Sequence, residues 1–285
     1  MLEYASMRLR LDCATPTTVP RIIVAAAITQ STGAQSECSG SKAVRNTRAN
    51  AAKAAAFAAF ARVFLTAFEP LHSDWAPVLW VIAAATMILG TVVGVAQSSL
   101  KRMLAYSSIA HGGYLILALV AANDVAKSAI LFYLLVYAVT NLGAFGIIGV
   151  LETADRPRDQ VSDFAGLWAE RPGLAALMTI FLLSLGGFPP FGGFIGKWWI
   201  FTAAMSAGYF WLAIIGVLTS VVSVYFYLRV VIMMYMTPAT APMALPPVPK
   251  IAGAALVISA IIVFYLGVLP NQVMTWASAS IGTIF

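Results

Sequence analysis

Apolar positions in this chain fall into long uninterrupted runs, unlike the alternation of a half-buried strand or the single stripe of a water-facing helix. Seven such runs cover residues 51–68, 77–97, 103–122, 126–151, 172–207, 208–236 and 251–269. A helix needs about 20 apolar residues to cross a bilayer, and each run reaches that length or approaches it with a change of tilt. The pattern predicts an all-α polytopic membrane protein of about seven transmembrane helices. The fifth run is too long for one simple span and carries Gly186, Gly187, Pro189, Pro190, Gly192 and Gly193 at its centre. Proline removes a backbone donor and glycine adds no stiffness, so this run predicts two half-helices joined by an unwound segment. Residues 270–285 are too short and too polar to span and are expected in the membrane interface.

Residues 1–50 break the pattern. They hold scattered Ser, Thr, Gln and Asn, and their one apolar patch, 22–28, is shorter than a span. Arg8, Arg10 and Arg21 with nearby hydroxyls loosely suggest a targeting presequence, but the acidic residues and the late apolar patch oppose it. A polar tail that is disordered or not native coding sequence is the expectation. The domain plan is then a tail over 1–50, a transmembrane helical domain over 51–269 and a C-terminal segment over 270–285.

Composition sharpens the class. A soluble globule draws about a quarter of its residues from Asp, Glu, Lys and Arg. Here 10% are charged and 61% hydrophobic, with a mean hydropathy of +0.88, so a soluble fold is excluded. The net charge of +6 is not a nucleic-acid footprint, because the basic residues alternate between connections. Lys101, Arg102, Arg156, Arg158, Arg171 and Lys250 fall on one side, with Arg229 just inside a helix end, whereas Glu69, Asp74 and Asp124 fall on the other beside Lys127. The positive-inside rule makes the first side cytoplasmic and puts the C-terminus outside. Cys13 and Cys38, 25 residues apart, match no metal, redox or haem spacing, and no metal site is expected.

Every acid lies in the tail or a connection, but Lys53, Arg62 and Lys197 are set within apolar runs. A lysine at the bilayer centre costs roughly 2.5–3.5 kcal/mol, so it persists only where something uses or pairs it. Lys53 near the start of its run and Arg62 near the far end of it have a bland alternative in snorkelling to the headgroups, Arg62 also in pairing with Glu69. Lys197 directly follows the unwound segment among Trp198, Trp199 and Phe201 and has no such escape. Unlike a guanidinium, a buried lysine can exist charged or neutral, and unwound backbone with two half-helix ends admits water and holds ions. This combination reads as an ion or proton pathway. His111, with Tyr106, Ser107 and Ser108, is a candidate relay, though a histidine bridging two helices is the plainer reading. Thr140 and Asn141, beside Gly143 and Gly146, suit polar contacts at a close helix crossing. Tyr225, Tyr227 and Arg229 read as interface anchors.

Several of these motifs resemble a known family. Leu183-Ser184-Leu185-Gly186-Gly187-Phe188-Pro189-Pro190, Gly193-Phe194-Ile195-Gly196-Lys197 and the stretch from Ser98-Ser99-Leu100-Lys101 to Ser107-Ser108-Ile109-Ala110-His111 look like the antiporter-like membrane subunits of respiratory complex I. The lysine after Gly-Phe-Ile-Gly, with Asn141-Leu142-Gly143-Ala144-Phe145-Gly146 and the stretch Tyr225 to Val230, is most similar to the subunit N type, called subunit 2 in mitochondria. The resemblance covers about residues 51–269. It implies the second inverted five-helix repeat of the antiporter-like fold and a proton-translocating role in the membrane arm of an NADH:quinone oxidoreductase, a translocase. Lys53 then matches the family's central lysine, Lys197 the lysine near the outer exit and His111 a histidine between them.

The resemblance also implies that this chain carries no redox chemistry. NADH, FMN, iron–sulfur clusters and quinone would belong to partner subunits, and the chain's partners would be neighbouring membrane subunits and lipid in a bacterial cytoplasmic (inner) membrane. Family members have about twice as many helices, so the chain is expected to be an N-terminally truncated or frame-altered form that does not pump alone. Alternatives from the same reading are a subunit of a related cation/proton antiporter or membrane-bound hydrogenase, or a non-transporting structural fragment.

Overall fold

The computed structural model describes residues 56–152, 158–239 and 247–284. Lys53, both cysteines and the polar first 50 residues lie outside them. The elements are helices α1 (Ala56–Ala67), α2 (His72–Val95), α3 (Leu100–Ala121), α4 (Asp124–Leu151), a four-residue α5 (Leu167–Glu170), α6 (Pro172–Gly186), α7 (Gly192–Ser206), α8 (Phe210–Met236), α9 (Lys250–Val268) and α10 (Pro270–Ile284). Five helices, α2 with its preceding turn, α3, α4, α8 and α9, are long and apolar enough to cross a membrane. No strand occurs among the described residues, so the all-α membrane class holds.

The break in the fifth run is where glycine and proline foretold it. α6 and α7 have 15 residues each, about 22 Å apiece and too short to cross alone. Pro172 opens α6, where a missing N–H costs nothing. Gly187 ends it at φ 87, a left-handed conformation that glycine adopts without strain.

Elsewhere polar side chains set the ends. Asn123 caps α4 by accepting from the Ala126 N–H (2.8 Å), while its amide donates to the Ala203 carbonyl (3.0 Å) and to Ser206 Oγ (3.1 Å) at the end of α7. Near the start of α3, the Leu100 N–H donates to the Asp159 carbonyl (2.6 Å) and the Val161 N–H to the Ser98 carbonyl (2.9 Å). These bonds strap the α2–α3 turn to the segment before α5.

α4 is the hub, in contact with α3, α6, α7, α9 and α10, while α2 lies along α3 and α8 packs on α2, α6 and α7. α9 runs antiparallel to α4: Leu256 meets Gly146 near one end, and Leu266 clusters with Val136 and Phe132 further along. The C-terminal segment assigned to the interface is helix α10. It continues beside α4, with Val273 and Met274 on the same cluster and Ser278 Oγ 3.1 Å from Ser128 Oγ.

The apolar core is divided. One block joins Leu79, Met87, Leu117, Ile130, Ile200 and Leu212 toward one end of the bundle. A second joins Leu104, Ile147, Phe164, Met178, Val230 and Val263 toward the other, where Lys101, Arg171 and Lys250 lie. Helices α3, α4 and α8 pass from one block to the other near their middles. Between the blocks lie the buried polar residues Ser107, Ser108, His111, Thr140, Asn141, Ser184, Lys197, Thr219 and Ser223. Helices that cross a membrane thus carry a polar layer at mid-height, sandwiched between two dry ones.

Candidate functional site

Lys197 stands at the centre of this layer. Its side chain reaches from α7 back across the break to the end of α6, donating to the Leu185 carbonyl (2.9 Å), the Gly186 carbonyl (3.0 Å) and Ser220 Oγ of α8 (2.9 Å). The three contacts match the three protons of an ammonium. They also complete the accounting at the helix end, where the last four carbonyls lack partners inside the helix. The Leu183 and Ser184 carbonyls accept from the Gly187 N–H (3.0 Å each), and Leu183 also accepts from Phe188 N–H (3.0 Å). That leaves the Leu185 and Gly186 carbonyls to the lysine. The negative end of the α6 dipole lies at the same point and favours a cation there.

Two glycines make this approach possible. A Cβ at Gly187 would lie 3.1 Å from Lys197 Cδ and 3.2 Å from Nζ, and a Cβ at Gly193 would overlap the Ser184 carbonyl where the half-helices cross. Ser184 ties the crossing together: its hydroxyl oxygen accepts from the Gly193 N–H (3.3 Å) and lies 3.4 Å from Thr140 Oγ1. Thr140 already gives its proton to the Val136 carbonyl (2.7 Å), so Ser184 is the donor in their contact.

His111 faces the same layer from α3 within a cage of tyrosines. Its Nδ1 is 2.5 Å from Tyr133 Oη and its Nε2 3.4 Å from Tyr227 Oη. A neutral imidazole donates through one nitrogen and accepts through the other, so one tyrosine donates to the ring and the other accepts from it. The Tyr137 ring lies 5.1 Å away, tilted by 43°. Tyr114 stands between histidine and lysine, its ring 5.8 Å from that of His111 and 5.2 Å from Lys197 Nζ. Its hydroxyl lies 3.4 Å from Thr219 Oγ1.

The layer thus contains His111, Lys197, Ser107, Ser108, Thr140 and Asn141, with Gly186 and Gly187 against the lysine, Gly192 facing Val136 and Leu266, and Gly193 facing Ser184. Ser107 and Ser108 give their protons to the Leu104 (2.8 Å) and Ala105 (2.7 Å) carbonyls of their own helix. Tyr106 does not join them. Five residues before His111 on α3, it is turned about 140° away, half-buried with its Cβ against Gly94 of α2.

The expectation that Tyr225, Tyr227 and Arg229 form one set of interface anchors is corrected. Tyr225 is 61% exposed, but Tyr227, two residues and about 200° further round the helix, is 1% exposed and faces His111. Arg229 donates to the Val95 (3.4 Å) and Gln97 (2.5 Å) carbonyls at the end of α2. Arg62 is exposed on α1, as snorkelling requires. Ser220, Tyr114 and Tyr133 carried no sequence signal, because serines and tyrosines are ordinary inside apolar runs; only spacing from Lys197 and His111 across three helices singles them out.

The chain is similar in sequence and in fold to known proteins. NADH-quinone oxidoreductase subunit N of Trichlorobacter lovleyi is 44% identical over 241 residues, covering 81% of this chain and 48% of the relative. Subunit N 1 of Herpetosiphon aurantiacus is 46% identical over 240 residues, covering 82% and 48%. The chain therefore spans about half the length of these curated relatives. Among solved structures, a chain of respiratory complex I from Thermus thermophilus with bound aureothin superposes with a TM-score of 0.64 at 34% identity, over 70% of this chain and 45% of that one. A chain of the Mrp complex from Dietzia sp. shares the fold, with a TM-score of 0.69 at 22% identity over 80% and 51%. The family described as NADH:quinone oxidoreductase/Mrp antiporter, TM, matches residues 48–223, a stretch that contains the break, Lys197 and His111. On that match and on the broken-helix fold around a buried lysine, the chain belongs to the NADH:quinone oxidoreductase/Mrp antiporter transmembrane family.

Proposed function

We propose that this chain forms part of a proton-translocating subunit in the membrane arm of an NADH:quinone oxidoreductase, a translocase of the bacterial cytoplasmic membrane. Lys197 carries the reading. A lysine buried among apolar helices, with its ammonium held by two helix-end carbonyls and a hydroxyl, is a group that can hold and release a proton at mid-membrane. His111 and its tyrosines continue the polar layer sideways from it, and Lys53, outside the described residues, matches the family's central lysine by resemblance. The names of the relatives at 44% and 46% identity favour complex I over an Mrp-type antiporter. The redox groups, NADH, FMN, iron–sulfur clusters and quinone, belong in this reading to partner subunits, and neighbouring membrane subunits flank the chain.

The test uses membrane vesicles whose NADH:quinone oxidoreductase carries this chain. Lys197→Ala is expected to lower proton uptake per NADH oxidised while the complex remains assembled, with Lys197→Arg equally impaired because a guanidinium stays charged. Unchanged proton uptake in Lys197→Ala would overturn the reading.

A further inference from the structure

Of the three groups that hold the Lys197 ammonium, two are backbone carbonyls and one is a hydroxyl. The difference matters when the lysine changes charge. A carbonyl only accepts, whereas a serine hydroxyl accepts or donates according to how its proton is turned. As an ammonium, Lys197 donates to all three, and Ser220 can direct its own proton to the Gly186 carbonyl, 3.5 Å away. Loss of a proton to water in the layer breaks one N–H bond and leaves its electron pair on Nζ. The neutral amine then has two N–H groups, which the Leu185 and Gly186 carbonyls accept, and a lone pair that no carbonyl can satisfy. Rotation of one O–H bond lets Ser220 donate to that lone pair across the same 2.9 Å.

We propose that Ser220 is the positioning residue of Lys197, the partner that keeps its amine hydrogen-bonded at the helix break in both protonation states. The role rests on the reading of Lys197 as a proton carrier. Ser220 lies on α8 next to Thr219, whose Oγ1 is 3.4 Å from the Tyr114 hydroxyl, and its carbonyl accepts from Ser223 Oγ (2.6 Å). Among the described residues, the titratable groups around the lysine are His111 and Tyr114 of α3, Tyr133 and Tyr137 of α4, and Tyr227 of α8. None of these lies within hydrogen-bond distance of Nζ, so none substitutes for the hydroxyl.

The experiment follows the nitrogen-15 signal of Lys197 Nζ through a pH titration of the full chain in lipid nanodiscs. Ser220→Ala is expected to displace the titration midpoint by about one pH unit, since charged and neutral forms lose bonds of unequal strength. Ser220→Thr, which keeps a hydroxyl on the same carbon, is expected to restore the midpoint. Ser220→Cys keeps a side chain of similar shape with a weak donor; it should displace the midpoint and serves if the alanine variant fails to fold. A wild-type midpoint in Ser220→Ala or Ser220→Cys overturns the proposal, whatever happens to thermal stability. A displaced midpoint together with unchanged proton uptake in Lys197→Ala would instead retain the Ser220 contact and remove the transport reading.

Discussion

His111 and Lys197 could be singled out from sequence because each is a polar residue where apolar ones are the rule. Their partners could not. The distance of Tyr133 Oη from His111 Nδ1, 2.5 Å, depends on the crossing of α3 and α4, which no local pattern encodes. Removing a buried hydrogen-bond partner costs about 1–3 kcal/mol when the other group is left unsatisfied. Tyr133→Phe should therefore lower the thermal unfolding temperature of the chain in nanodiscs, while Tyr225→Phe, at a side chain 61% exposed, should leave it unchanged. Equal stabilities in the two variants would refute the role assigned to the Tyr133 hydroxyl. Tyr227 teaches a related lesson: it and Tyr225 belong to one aromatic-rich stretch but lie on opposite sides of α8, so a motif near a helix end does not specify which of its members turns inward.

At the scale of the element, the five long apolar helices and the position of the break were legible, since apolar length and a Gly/Pro cluster are local properties. How the break closes was not, because it depends on Ser184, Gly193 and Lys197 meeting across two half-helices. The contrast between two glycines tests that closure. A Cβ at Gly193 would overlap the Ser184 backbone, whereas one at Gly173, in the first turn of α6, meets nothing within 4 Å. Gly193→Ala is expected to reduce the yield of folded chain in membranes severalfold and Gly173→Ala to leave it near wild type. Comparable yields would show that α6 and α7 do not cross as closely as described.

Over the whole molecule, hydropathy disclosed a bundle but hid its layering, because a few polar residues on each of five helices align only once those helices are packed. Hydropathy assigned residues 270–285 to the interface but gave no sign that α10 packs along α4. Its placement predicts that Ser128→Cys with Ser278→Cys, at hydroxyls 3.1 Å apart, forms an intramolecular disulfide under mild oxidation, read as a mobility shift reversed by reductant. A pair that stays reduced would dislodge α10 from that position.

The two dry blocks and the polar layer between them also divide electrical work. A charge moved across a whole membrane gains or loses about 2.3 kcal/mol per 100 mV, and the field falls mostly where the medium is least polarisable. That is across the apolar blocks. On the proposed function, a proton passing between Lys197 and the His111 cage stays within the polar layer and crosses neither apolar block, so such a step is expected to run equally well in an energised and a de-energised membrane. Voltage acts on the steps that enter or leave the layer.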